Sequence, residues 1–162
     1  MTTTHQSMEA KNKIFEVDDQ INFTPLQLRS NERRILIIED DKDTAVMIKC
    51  LIEFYGHTNV CFIANDPYEA LNALSNKKFD LVLVDQRLQG MTGSSVLNQM
   101  DQFIDKDPLI TESRNYETAV PVVFMSAATQ QNLENLKLKN FKVLEFVRKD
   151  HLQDFLSDNF TN

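Results

Sequence analysis

From position 33 onward, hydrophobic residues fall into short unbroken runs separated by longer segments with a helical period. Ile35–Ile38 reads ILII, and Val60–Ile63, Leu81–Val84, Val122–Met125 and Val143–Val147 are similar. Continuous rather than alternating apolarity predicts strands covered on both faces, as in a parallel sheet. Between the runs, residues 43–55 place Met47, Ile48, Leu51, Ile52 and Tyr55 on one face, and Gly56 supplies a stop. Asp66-Pro67-Tyr68-Glu69 predicts a helix start: an acidic cap, Pro at the first helical position and Glu at the third. That helix runs to about Ser75, with Ala70, Leu71 and Leu74 inward. Further helices are expected over Ser94–Ile104, Gln130–Leu138 and His151–Asp158, the last with Leu152, Phe155 and Leu156 inward. This alternation predicts right-handed crossovers and a five-stranded parallel sheet with helices on both sides.

Two segments break the pattern. Residues 1–32 form an N-terminal arm: 1–13 are polar and expected to be disordered. Residues 14–28 scatter Ile14, Phe15, Val17, Ile21, Phe23, Leu26 and Leu28 without a period, and Pro25 interrupts any helix. The arm packs on the domain or docks on a partner; its sequence does not choose. Within the domain, taken as residues 33–160, the polar stretch 101–120 is too long for an ordinary connection and enters the fourth strand at the edge opposite bound ligands.

Composition narrows the function. The 162 residues carry a net charge of −7, which repels nucleic-acid phosphates. No apolar run approaches the ~20 residues of a membrane span, and the N-terminus lacks the apolar stretch of a secretory signal. Two cysteines, Cys50 and Cys61, are too few for a disulfide framework and read as reduced thiols of a cytoplasmic protein.

Ligands of open parallel sheets bind beyond the carboxyl ends of the strands, so the residues that follow each run carry the chemistry. These are Glu39, Asp40 and Asp41 after the first, Asp85 after the third, Ser126 after the fourth and Lys149 after the fifth. Carboxylates about 5 Å apart repel by about 3 kcal/mol per pair at an effective dielectric near 20. Such a group stays partly protonated or recruits a cation, and hard oxygen donors without His or Cys favour Mg²⁺. With an ammonium and a hydroxyl beside it, Asp85 is placed to act as a nucleophile toward phosphorus. Singly, a strand-end acid is more often a helix cap; the joint pattern is what points to chemistry.

These motifs resemble the receiver domains of bacterial two-component response regulators over about Arg33–Asp158. ILIIEDD is similar to the family's first strand and acidic pair, Glu39 and Asp40; LVLVDQRLQGMTG resembles its phosphoacceptor strand and loop, with Asp85 as acceptor. VVFMSA places Ser126 at the Ser/Thr switch position, and EFVRK places Phe146 at the aromatic switch position and Lys149 at the characteristic lysine. The resemblance implies a flavodoxin-like three-layer sandwich of strand order 2-1-3-4-5. It also implies a phosphoryl group accepted on Asp85 from a histidine kinase or histidine phosphotransfer protein, and Mg²⁺ held by Asp40, Asp85 and the Arg87 carbonyl, with Glu39 helping through water. Ser126 and Phe146 would then change the surface offered to a downstream protein. The protein would catalyse only its own phosphotransfer and slow dephosphorylation, as a monomer or weak dimer.

Departures are specific. Gln89 stands where the family usually has Pro, which loosens the loop after Asp85. Asp150 follows Lys149 where Pro is usual, so a trans bond is expected there and an acid stands beside the lysine. Arg87, two residues after the acceptor, is placed to shield a phosphoryl group from water. Thirteen residues after Lys149 leave no room for an output domain, which suggests a stand-alone receiver. Two other functions compete: a receiver-shaped docking module that takes no phosphate, and a phosphatase with an Asp nucleophile. For the latter, Asp41-Lys42-Asp43-Thr44 comes within one residue of the usual signature and fails at Ala45.

Overall fold

A computed structural model describes residues 32–106, 119–127 and 136–160. The chain runs β1 (Arg33–Ile38), α1 (Lys42–Tyr55), β2 (Asn59–Ala64), α2 (Pro67–Asn76) and β3 (Leu81–Asp85). A two-residue ladder, β4 (Arg87–Leu88) with β5 (Met91–Thr92), leads into α3 (Gly93–Lys106). Then come β6 (Val120–Ser126), β7 (Phe141–Arg148), a 3₁₀ turn (Lys149–His151) and α4 (Leu152–Phe160). The five long strands form one parallel sheet in the order β2-β1-β3-β6-β7. Counting only those strands, this is the expected order.

Period two along each strand divides the core. Leu36, Ile38, Val82, Val84, Val122 and Phe124 face one side, against Ala70 and Leu74 of α2 and Val96, Leu97, Met100 and Ile104 of α3. Ile35, Ile37, Leu83, Val123 and Met125 face the other, against Ile48 and Ile52 of α1 and Leu152, Leu156 and Phe160 of α4. Runs such as ILII are thus buried on both faces because each face has its own helical layer. Among the described residues, no helix is long and apolar enough to cross a membrane.

Helix ends follow the local chemistry. Asp66 caps α2 by accepting from Glu69 N at 2.7 Å, while Glu69 accepts from Asn65 N at 2.7 Å. Gly56 ends α1 with φ −138°, not in the left-handed region. Its lack of a side chain matters for space: an added Cβ would run into Asn59.

Several expectations need correction. Met47 was placed inward but is half exposed, because the buried stripe of α1 runs through Ala45, Ile48 and Ile52. The β7 strand is not covered on both faces: it lies at the sheet edge, and Leu144 is 54% exposed. Pairing shifts from Val122↔Val143 to Val123↔Glu145, leaving Leu144 as the extra residue of a bulge. Helix α3 spans Gly93–Lys106, two residues past the end expected at Ile104, and so takes in the first six residues of the stretch 101–120, with Asp101 and Ile104 buried. Its remainder up to 118, the arm 1–31 and most of the helix expected over 130–138 (residues 130–135) lie outside the described residues; 136–138 have no regular structure.

Candidate functional site

At the carboxyl edge of the sheet, β1 and β3 are neighbours whose chain connections leave in opposite directions, the switch point at which α/β sheets open a crevice. Glu39 leaves β1 with its N–H bonded to the Ala64 carbonyl at 3.0 Å, and its own carbonyl accepts from Asn65 Nδ2 at 3.0 Å. Asp85 closes β3. Ser126, fully buried, ends β6, and Lys149 follows β7 directly. The sheet therefore delivers one residue from each of four strand ends to one place.

Glu39, Asp40 and Asp85 each offer a carboxylate oxygen, and all three oxygens lie within 4.8 Å of one another. The Lys149 ammonium sits among them, 2.7 Å from Asp85 Oδ2 and 2.6 Å from Glu39 Oε2. Both carboxylates therefore share the one ammonium through short, charge-assisted contacts. Burial pushes the Glu39 carboxyl above its ordinary range; Lys149 opposes this, and the Asp85 charge adds to it. For Lys149, burial works against the charged form, yet Asp85 and Glu39 outweigh it and hold the ammonium above the ordinary lysine range.

Three carboxylates against one ammonium leave two formal negative charges. That surplus and an all-oxygen donor set fit a hard divalent cation such as Mg²⁺. Asp41 takes no part. It caps α1 by accepting from Thr44 N at 2.8 Å, a contact that holds its carboxyl below the ordinary range. Asp43 lies in the first turn of the same helix, so the near-match to a phosphatase signature is a helix start.

The remaining predicted residues occupy the rim. Arg87 is exposed, and its backbone N–H donates to Asp85 Oδ1 at 3.0 Å. Phe146 is half buried and packs on the core beside Phe124, its register partner. The peptide bond after Lys149 is trans, and Asp150 does not compete for the lysine. Instead Arg148 grips both Asp150 oxygens, Nε to Oδ1 at 3.0 Å and Nη2 to Oδ2 at 2.5 Å. A cavity of about 280 Å³, lined by Arg33, Asp80, Leu81 and Pro121, opens at the opposite edge of the sheet and contains none of the predicted site residues.

Two features escaped the sequence reading. Gln89 N donates to Asp40 Oδ2 at 3.0 Å, a bond that proline could not make. Gln86, beside Asp85, is buried and bonded through its side chain to Ser94.

Strand order, helices on both faces and a carboxylate cluster at the switch point define a doubly wound α/β protein with an acidic edge. Residues 35–159 match the response regulator receiver domain, and the chain belongs to that family. It is 29% identical over 113 residues to the sensor histidine kinase GacS of Pseudomonas protegens, covering 70% of this chain and 11% of that kinase. It is 35% identical over 72 residues to the autoinducer sensor kinase/phosphatase CqsS of Vibrio cholerae, covering 44% of this chain and 10% of that protein. The chain thus spans about a tenth of these relatives. Among solved structures, the N-terminal domain of a response regulator/sensory box/GGDEF protein from Carboxydothermus hydrogenoformans superposes with a TM-score of 0.58 at 25% identity, covering 76% of this chain and 87% of that one. A CheY-like receiver domain from Methanospirillum hungatei shares the fold, with a TM-score of 0.58 at 20% identity over 78% of this chain and 90% of that one. Receiver domains are the phosphorylation-dependent signalling modules of two-component and phosphorelay pathways, generally phosphoacceptors rather than enzymes with a separate substrate.

Proposed function

We propose that this receiver accepts a phosphoryl group on Asp85 from the phosphohistidine of a histidine kinase or histidine phosphotransfer protein in the cytoplasm, and signals by contact with a downstream protein. The observation that carries the reading is the Asp85 carboxylate at a strand end, bonded to Lys149 at 2.7 Å and clustered with Glu39 and Asp40. An Asp85 oxygen attacks phosphorus and the phosphorus–nitrogen bond to the donor imidazole breaks. The nitrogen keeps the electron pair and takes up a proton, and the product is an acyl phosphate on Asp85.

Lys149, already against the attacking carboxylate, follows the new charge onto the phosphoryl oxygens. Ser126 offers its hydroxyl from the end of β6, and Phe146 turns inward behind it, so one added group biases two arrangements of the β6–β7 edge. Glu39, Asp40, Asp85 and the Arg87 carbonyl would hold Mg²⁺, which when bound neutralises charge on the phosphoryl oxygens.

The test is incubation with Mg²⁺ and acetyl phosphate followed by intact-mass measurement. The expected result is a gain of one phosphoryl group that is absent from Asp85→Asn. A second reading, a docking module that takes no phosphate, draws on one observation: both Asp85 oxygens are already engaged and its side chain is only 7% exposed. Failure to label under any Mg²⁺ concentration would decide for that second reading.

A further inference from the structure

The residue immediately after Asp85 is a buried amide. Gln86 is 3% exposed, and a primary amide in that position is costly unless its donors and acceptor are satisfied. One residue satisfies it twice: Gln86 Nε2 donates to Ser94 Oγ at 3.0 Å, and Gln86 Oε1 accepts from Ser94 N at 3.1 Å. The backbone of Gln86 is tied as well. Its N–H donates to the Met125 carbonyl in β6 at 2.9 Å, and its carbonyl accepts from Gly93 N at 3.2 Å. Residue 86 is therefore fastened to β6 and, through three bonds, to the first two residues of α3.

These ties close a noose. The segment 87–92 leaves from Gln86 and returns to Gly93 and Ser94, which Gln86 holds. At the return point an added Cβ on Gly93 would collide with the Asp85 carbonyl and lie 2.6 Å from Val84 Cγ2, so the two ends are pressed together. What the noose carries is chemical. Arg87 N–H orients Asp85 Oδ1, and Gln89 N–H orients Asp40 Oδ2. Both acceptors belong to the carboxylate cluster. Ser94 is in turn linked to Thr92 Oγ1 at 3.0 Å, and Thr92 accepts from Ser95 N at 3.1 Å, so the far side of the noose rests on the start of α3.

We infer that Gln86 is a positioning residue: its paired hydrogen bonds to Ser94 set the loop whose backbone amides aim Asp40 and Asp85 at a divalent cation. This rests on the part of the proposed function that gives those carboxylates to Mg²⁺, and not on phosphate acceptance. A side chain that only filled space would be replaceable by an apolar one of the same length; a positioning amide would not.

Gln86→Met keeps the length and removes the hydrogen bonds, and Ser94→Ala removes one of the two. Calorimetric titration of the full chain with Mg²⁺ alone is expected to show binding weakened about tenfold in Gln86→Met, the scale seen when a ligand's supporting partner is lost. Ser94→Ala should show a smaller loss, and the double variant should bind no more weakly than Gln86→Met. Amide exchange of Arg87 and Gln89 should quicken in Gln86→Met while exchange in β1 stays slow. Unchanged Mg²⁺ affinity and unchanged exchange at Arg87 and Gln89 in a folded Gln86→Met, with only thermal stability altered, would overturn the inference, as would a wild type that binds no Mg²⁺. Should Gln86→Met not fold, Ser94→Ala decides: affinity reduced by about threefold supports the inference and wild-type affinity rejects it. A wild type that binds Mg²⁺ but takes no label on Asp85 would fail the phosphoacceptor reading and leave this one standing.

Discussion

Cys50 and Cys61 bring the same thiol into different surroundings. Cys50 is exposed on α1, whereas Cys61 is half buried in β2, and burial together with the nearby Glu53 charge pushes its pKa up to about 12. At pH 8 only about one Cys61 in ten thousand would be the thiolate, the reactive form. Iodoacetamide should therefore add once to the native protein, at Cys50, and twice after denaturation; rapid double addition to the native protein would refute this. Environment also separates the residues that sequence could identify from those it could not. Glu39, Asp40, Asp85, Ser126 and Lys149 were legible because a parallel sheet gathers whatever follows its strands, whatever the side-chain detail. Gln86 was not, since an amide after an acid looks like ordinary loop polarity until its burial is known. Asp41 was ambiguous by chemistry, being equally suited to a cluster and to a cap, and its bond to Thr44 decides for the cap.

Elements depend on contacts that local pattern does not encode. The buried Asp101 of α3 accepts from Lys139 N at 2.9 Å, Asn140 N at 2.7 Å and Asn140 Nδ2 at 3.0 Å. It thereby fixes the entry to β7, because Val120 N in turn donates to the Asn140 carbonyl. Asp101→Ala would leave two backbone donors without their partner and should cost about 2–3 kcal/mol, read as a lower urea midpoint with an unchanged slope; a midpoint within error of wild type would contradict the role. Strand and helix identities were readable since runs of four apolar residues and capped helical periods are strong local signals. The exposure of β7 was not. In VLEFV the one local sign is Glu145, which interrupts the apolar run; the strand's place at the sheet edge and the bulge at Leu144 are what leave it open. The sequence places the end of α3 within two residues of Lys106; what it does not show is the burial of Asp101, which is buried because it is bonded, not because it is apolar.

At the scale of the molecule, the site is a product of assembly. Asp85 and Lys149 stand 64 residues apart in the chain and meet at 2.7 Å only when β6 and β7 have been added to the sheet. No local segment holds the whole site, so acceptance of phosphate should be lost with the fold as one transition. Acetyl-phosphate labelling and far-ultraviolet circular dichroism, followed through the same urea series, should give overlapping curves; labelling that survives the loss of the sheet signal would rule this out. The lysine's position near the end of the domain has a corollary for synthesis on the ribosome. If Asp85 is the phosphoacceptor, a nascent chain already displaying its acidic residues would lack the ammonium beside that carboxylate until its closing edge strand had emerged and paired with β6.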